Sequence, residues 1–128
     1  MNRTPDALPA MAVTACFAEG ETRLVNVPQA REKETDRIAC MAAELGKLGA
    51  DIQELPDGLV IRGQLGGTNL SPAPVCGHHD HRIVMAMSIA AMALDSGPME
   101  IDTAEAMNVT FPEYVSLMSQ LGAKMKIM

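Results

Sequence analysis

The chain has 128 residues, 48% of them hydrophobic, which is enough apolar material for one compact domain with a core. Aromatic residues are nearly absent (Phe17, Phe111, Tyr114 and no Trp) against 11 Met, so helices must pack through Ala, Leu, Ile and Met, and stacking on nucleobases is disfavoured. A formal net charge of −6 argues equally against a nucleic-acid or anionic-membrane surface, because such partners need a broad basic face.

Cys16, Cys40 and Cys76 are odd in number and widely spaced, with no Cys-x-x-Cys pair. They suggest neither a disulfide framework nor zinc, and they fit a reducing, cytoplasmic location. Val13-Thr14-Ala15-Cys16 has the look of a lipoprotein cleavage box. It fails as one because Asp6 cancels Arg3 and Pro9 interrupts an already short apolar stretch. No segment approaches the length of a membrane span.

Asp6, then Ala7–Ala18 and Gly20, reads as an N-cap, a small-residue helix and a stop, with Pro9 tolerable in the first turn. That helix is apolar almost all round and should be buried on several sides. Thr22–Val27 alternates like a strand and Pro28 ends it. Next comes the charged run Arg31-Glu32-Lys33-Glu34-Thr35-Asp36-Arg37, placed before the apolar-periodic residues Ile38, Met41, Ala42, Leu45 and Leu48. The spacing predicts an amphipathic helix from about Glu34 to Leu48, closed by Gly49. Ala50–Leu55 and Leu59–Arg62 flank Pro56-Asp57-Gly58 as a hairpin. Residues 64–77, with paired glycines and prolines, read as loop or irregular edge. A second buried helix is predicted from Asp80 to about Leu94, a strand over Met99–Asp102, a capping box at Thr110-Phe111-Pro112-Glu113, an amphipathic helix over Glu113–Leu121 and a last strand over Lys124–Met128.

These elements repeat. Ala10–Ala18 resembles Ala86–Leu94, and Leu48-Gly49-Ala50 recurs as Leu121-Gly122-Ala123, a period of about 75 residues. Two copies of buried helix, strand, amphipathic helix and strand imply apolar helices within and strands outside. Asp6 and His81-Arg82 then fall at corresponding helix N-termini, so functional candidates gather at one end of the helices.

A helix N-terminus offers unpaired N–H groups and a positive dipole end to an anion. If the chain is helical there, Lys33 and Arg37 share a face, with Glu34 as a carboxylate among cations. That suits a site that binds an anion and moves a proton; a salt-bridged, solvated first turn is the plainer alternative. Gly77-His78-His79-Asp80-His81-Arg82 invites a metal, yet adjacent side chains diverge and do not converge on one ion. An Asp cap with a structural His explains the pattern without function. As a site, it would have Arg82 hold an anion while His81 supplies a polar or proton-transferring group. Arg31, Lys33, Arg37 and Arg82 are drawn from only ten basic residues, and their concentration at two helix starts favours an anion site.

Thr4-Pro5-Asp6-Ala7, Lys33-Glu34-Thr35-Asp36-Arg37, Leu48-Gly49-Ala50, Asp80-His81-Arg82 and Thr110-Phe111-Pro112-Glu113 occur in the order found in one family. The chain resembles the C-terminal part of the EPSP synthases, the 3-phosphoshikimate 1-carboxyvinyltransferases among the enolpyruvyl transferases. The resemblance implies part of an inside-out α/β prism, with about two of the three repeats of one domain. On that reading residues 1–128 form a single partial domain, with repeat one over about 5–63, a loop over 64–77 and repeat two over about 78–128.

The resemblance also implies a cofactor-free reaction of the shikimate pathway, on the way to aromatic amino acids. Phosphoenolpyruvate and shikimate 3-phosphate give 5-enolpyruvylshikimate 3-phosphate and phosphate. By motif match Asp6 accepts the hydroxyl proton, Glu34 donates a proton to the methylene, and His81 assists. Lys33 sits by the shikimate phosphate or between the ligands, Arg37 and Arg82 bind phosphoenolpyruvate, and Gln29 is a further polar substrate contact. Val109 stands where well-known members carry a lysine. The family's N-terminal domain, which completes the cleft, has no counterpart here, so the isolated chain should be inactive unless that domain is supplied. Self-association could otherwise cover the exposed surface. Two other readings remain at this stage: a non-catalytic anion-binding or structural fragment, and the related UDP-N-acetylglucosamine enolpyruvyl transferase, whose corresponding segments lack Lys-Glu-Thr-Asp-Arg and Asp-His-Arg.

Overall fold

A computed structural model of the chain describes residues 5–33, 35–94 and 99–102. A 3-10 turn, Pro5–Ala7, leads into helix α1 (Leu8–Phe17). Pro9 falls in the first turn, where its missing N–H breaks no helical bond. The N-cap residue is Ala7, with no side-chain cap bond, so the expectation that Asp6 caps this helix is corrected: its carboxylate is engaged elsewhere. Leu8, Ala12, Val13, Ala15 and Cys16 are buried, while Ala10, Met11 and Thr14 are exposed.

Strand β1 (Gly20–Leu24) starts and ends earlier than the predicted Thr22–Val27. It ends because Asn26 turns into the left-handed region (φ 61°), where its N–H donates to Asp57 Oδ2 at 3.0 Å. A 3-10 turn over Pro28–Glu32 follows. Helix α2 (Arg37–Lys47) begins at Arg37 rather than near Glu34, because Asp36 caps it: Oδ1 accepts from the Ala39 N–H at 3.1 Å. Its buried face carries Ile38, Met41 and Leu45, and also Arg37 and Glu44. Each fully buried aliphatic here is stabilising by about 1.5–3 kcal/mol relative to exposure.

Strands β2 (Asp51–Leu55) and β3 (Gly58–Gly63) form the predicted hairpin, with Leu55 opposite Gly58 across Pro56-Asp57. β3 is central in an antiparallel sheet of order β1-β3-β2. Its Leu59 and Ile61 join the core as α1 and α2 pack against it, while Glu21, Arg23, Asp51 and Gln53 on the flanking strands are exposed.

Residues 64–77 are more regular than the glycines and prolines suggested. They hold a 3-10 turn (Leu65–Gly67) and a short strand β4 (Val75–Cys76). Helix α3 (His81–Leu94) follows, with Ile83, Val84, Ala86, Met87 and Ala90 buried, and packs on α1 and α2. β5 (Ile101–Asp102) then pairs in parallel with β4. Apolar helices lie inside and the three-stranded sheet outside, as the patterning implied. The predicted helix over Glu113–Leu121, the strand over Lys124–Met128 and Val109 lie outside the described residues.

The sheet and α1 meet without clearance at Gly63, where an added Cβ would run into the Ala15 and Ala18 carbonyl oxygens. Gly63→Ala should therefore cost about 1–3 kcal/mol, the range for overpacking. Urea unfolding followed by far-UV circular dichroism measures this, with a lower midpoint and an unchanged slope expected.

Candidate active site

The starts of α1, α2 and α3 come together around one guanidinium. Arg37, first residue of α2, is buried at 1% exposure, and Asp80, which precedes α3, at 0%. Arg37 Nε donates to Asp80 Oδ2 at 2.8 Å and Nη2 to Oδ1 at 3.1 Å, a two-pronged fork. Asp80 has two further donors: the Thr35 hydroxyl (2.9 Å, to Oδ2) and the Arg82 backbone N–H (2.9 Å, to Oδ1). The last of these caps α3. On its other edge Arg37 donates from Nη1 to Asp6 Oδ1 at 2.9 Å, and Lys33 Nζ lies 3.6 Å from the same oxygen. Half-exposed Asp6 and exposed Arg82 border a groove of about 240 Å³ between α1 and α3, with Val13, Thr14, Met85 and Ile89 along it.

Burial raises the Asp80 carboxyl, but the hydrogen bonds from Arg37 and Thr35 and the Arg37 charge outweigh it and hold its pKa below the ordinary value. For Asp6 the desolvation is likewise overcome, by the charges of Lys33, Arg37 and Arg82. Both are carboxylates at neutral pH. Burial pushes the Cys16 thiol up to about 11 and raises that of Cys40, so neither is an activated nucleophile.

Asp6, Lys33, Arg37 and Arg82 thus gather as the sequence suggested, but by a different route for two of them. Lys33 lies before the helix, in extended backbone, so it does not share a helix face with Arg37. The two converge on Asp6 because the chain turns between them. Arg37, expected to bind phosphoenolpyruvate, has its side chain enclosed between Asp80 and Asp6. His81, the first residue of α3, is half-buried, and Gln29 lies in the 3-10 turn that packs against Pro5–Ala7. Glu34 lies outside the described residues.

Arg31 does not join the cluster. Its Nε and Nη2 donate to the Pro56 and Leu55 carbonyls at 2.9 and 2.7 Å, and it pairs with Asp36 and Glu54 at 2.8 Å, fastening α2 to the hairpin. Sequence reasoning missed Thr35 as a partner, Asp80 as the hub, and Glu44 altogether. The signal for Glu44 was a carboxylate on the buried stripe of α2. Among the described residues no three His, Cys, Asp or Glu side chains gather as a metal site.

Apolar helices under an outer sheet, with an ionic cluster where the helices start, define part of an α/β domain of buried helices and outer sheets that carries its polar site at one end. The chain belongs to the EPSP synthase family: the family model for EPSP synthase (3-phosphoshikimate 1-carboxyvinyltransferase) matches residues 1–118. It is 61% identical over 127 residues to the 3-phosphoshikimate 1-carboxyvinyltransferase of Ruminiclostridium cellulolyticum, covering 99% of this chain and 29% of that protein. The enzyme of the same name from Acetivibrio thermocellus is 58% identical over 124 residues, which cover 96% of this chain and 28% of that protein. EPSP synthase from Acinetobacter baumannii superposes with a TM-score of 0.86 at 31% identity, covering 98% of this chain and 28% of that one. The chain therefore spans under a third of the length of these relatives.

Removing the charge of Asp80 would take from buried Arg37 the carboxylate that meets it with both oxygens. Asp80→Asn should thus cost about 3–5 kcal/mol. Because Asp80 and Asp6 have lowered pKa values in the folded chain, the stability they contribute is complete above the ordinary carboxylate range near pH 4. It is lost as pH falls through the folded values. Urea titrations across this range should show wild-type stability falling with acid, and a shallower fall for Asp80→Asn.

Proposed function

We propose that this chain supplies one wall of the active site of a 3-phosphoshikimate 1-carboxyvinyltransferase, acting on phosphoenolpyruvate and shikimate 3-phosphate. The observation that carries the reading is the placement of Asp6: an ionised carboxylate at the mouth of a groove, with Lys33, Arg37 and Arg82 around it. Membership of the family supports it.

In this reading Asp6 accepts the proton of the shikimate hydroxyl as its oxygen bonds to C2 of phosphoenolpyruvate, while Glu34 gives a proton to the C3 methylene. The tetrahedral adduct then loses a proton from that carbon and expels phosphate, restoring the enol ether. Lys33 and Arg82, less enclosed than Arg37, receive the anionic groups. An incoming anion reaches Arg37 at the Nη1 edge now occupied by Asp6. His81 and Gln29 are secondary polar contacts. The remaining wall comes from chain beyond this segment. Met11, Ile89 and Met92 stay 39–44% exposed on α1 and α3, which supports further protein, or a second copy, covering that side. No helix among the described residues is long and apolar enough to cross a membrane; the cytoplasmic location belongs to the proposed biosynthetic role and rests on family membership.

The test is steady-state phosphate release with both substrates. The 128-residue chain alone should release none, and adding in trans the whole part of a relative that this chain does not span should restore activity. In that assembly Glu34→Gln should lower turnover by about 10²–10⁴-fold with substrate affinity kept, the range for a general acid. Arg82→Ala should instead weaken phosphoenolpyruvate binding first. Robust two-substrate turnover by the chain alone would overturn the half-site reading.

A further inference from the structure

Helix α2 grips the segment that leads into α3 at two places. Near its start Arg37 holds both oxygens of Asp80. About two turns further on, on the same buried face, Glu44 holds the other end. Its Oε1 accepts from the Cys76 backbone N–H at 2.6 Å, and its Oε2 lies 3.0 Å from His78 Nε2. The Glu44 side chain is 2% exposed, and Lys47 Nζ sits 2.8 Å from Oε1 on the solvent side. An amide, an imidazole and an ammonium thus surround a carboxylate that would otherwise be costly to bury.

The gripped His78 and its neighbour His79 have φ 55° and 56°. Two adjacent left-handed residues with side chains are a strained arrangement that persists only where the surroundings over-determine it. This turn delivers Asp80 to Arg37 and, two residues on, Arg82 to the groove.

We infer that Glu44 is a positioning residue, the second jaw of a clamp from α2 that holds the 77–80 turn so that Arg82 faces the anion. The inference rests on the reading of Arg82 as an anion contact. Glu44 touches no substrate. It acts through Cys76 and His78 on the direction in which α3 starts.

The test uses the ¹⁵N-labelled 128-residue chain, with backbone order parameters over 77–82 and phosphoenolpyruvate titrations followed at the Arg82 Nε–H resonance. Glu44→Gln should keep the circular dichroism and the sheet resonances of wild type. It should lower the order parameters of 77–82 from about 0.85 towards 0.6, and weaken the Arg82 response by about tenfold, the low end for loss of a supporting partner. A merely structural role would lower stability throughout without loosening this turn selectively. Wild-type order at 77–82 in Glu44→Gln would overturn the inference. If Arg82 of the wild-type chain ignores phosphoenolpyruvate, the functional reading falls, and the order parameters still decide the clamp. Should Glu44→Gln fail to fold, His78→Asn decides, since Asn tolerates a positive φ and only the ring is lost. Loosening at 77–82 then supports the clamp, and wild-type order refutes it.

Discussion

A buried guanidinium has to be neutralised where it stands, and the rest of this structure follows from how Arg37 is neutralised. Asp80 meets it with both oxygens, and Asp6 takes the remaining edge. Those residues lie at the starts of α2, α3 and α1, so one ionic cluster fixes where three helices begin. Such a pair is not an efficient source of stability, since apolar residues of like volume often do as well. Its value here is geometric: with Arg37 in place, a shift of either neighbouring helix start would leave a desolvated charge without its partner.

The same arrangement sorts the basic residues by role. Arg31 serves the hairpin and Arg37 the helix starts, which leaves Lys33 and Arg82 as the cations of the cluster that are not enclosed. Asp6 is where the two functions meet. Its ion pairs with Arg37 and Lys33 keep it ionised at the edge of the groove. The cations that hold it also hold its basicity down.

Much of this could be read from the residues. The apolar runs gave both buried helices, Pro56-Asp57-Gly58 gave the hairpin, and the charged runs located the cluster, because each signal is local. The misplaced details depended on distant contacts. β1 ends where Asn26 binds Asp57, a partner that the hairpin brings close. Asp6 looked like a cap until Arg37 was there to take its carboxylate. β4 was unreadable because two residues in a proline-flanked stretch become a strand only when Ile101 and Asp102 arrive beside them. Glu44 was overlooked since amphipathic counting treats a lone carboxylate on an apolar stripe as noise, whereas its partners are a backbone amide and a histidine from another segment.

The two sheets also differ in the length of chain between their partners, and this sets an order of assembly. β2 and β3 are joined by two residues, so their pairing closes on the microsecond scale of a hairpin. β1 must wait for α2 to fold back before it meets β3. The β4–β5 pair is parallel, with all of α3 between its members, and that helix has to dock on α1 before Val75 and Ile101 can meet. Loop-closure entropy is met there before any bond rewards it. The longest closure is nonetheless that of β1 on β3, Gly20 opposite Gly63, so by chain separation the outer sheet holds both the most local pairing of the fold and the least local one.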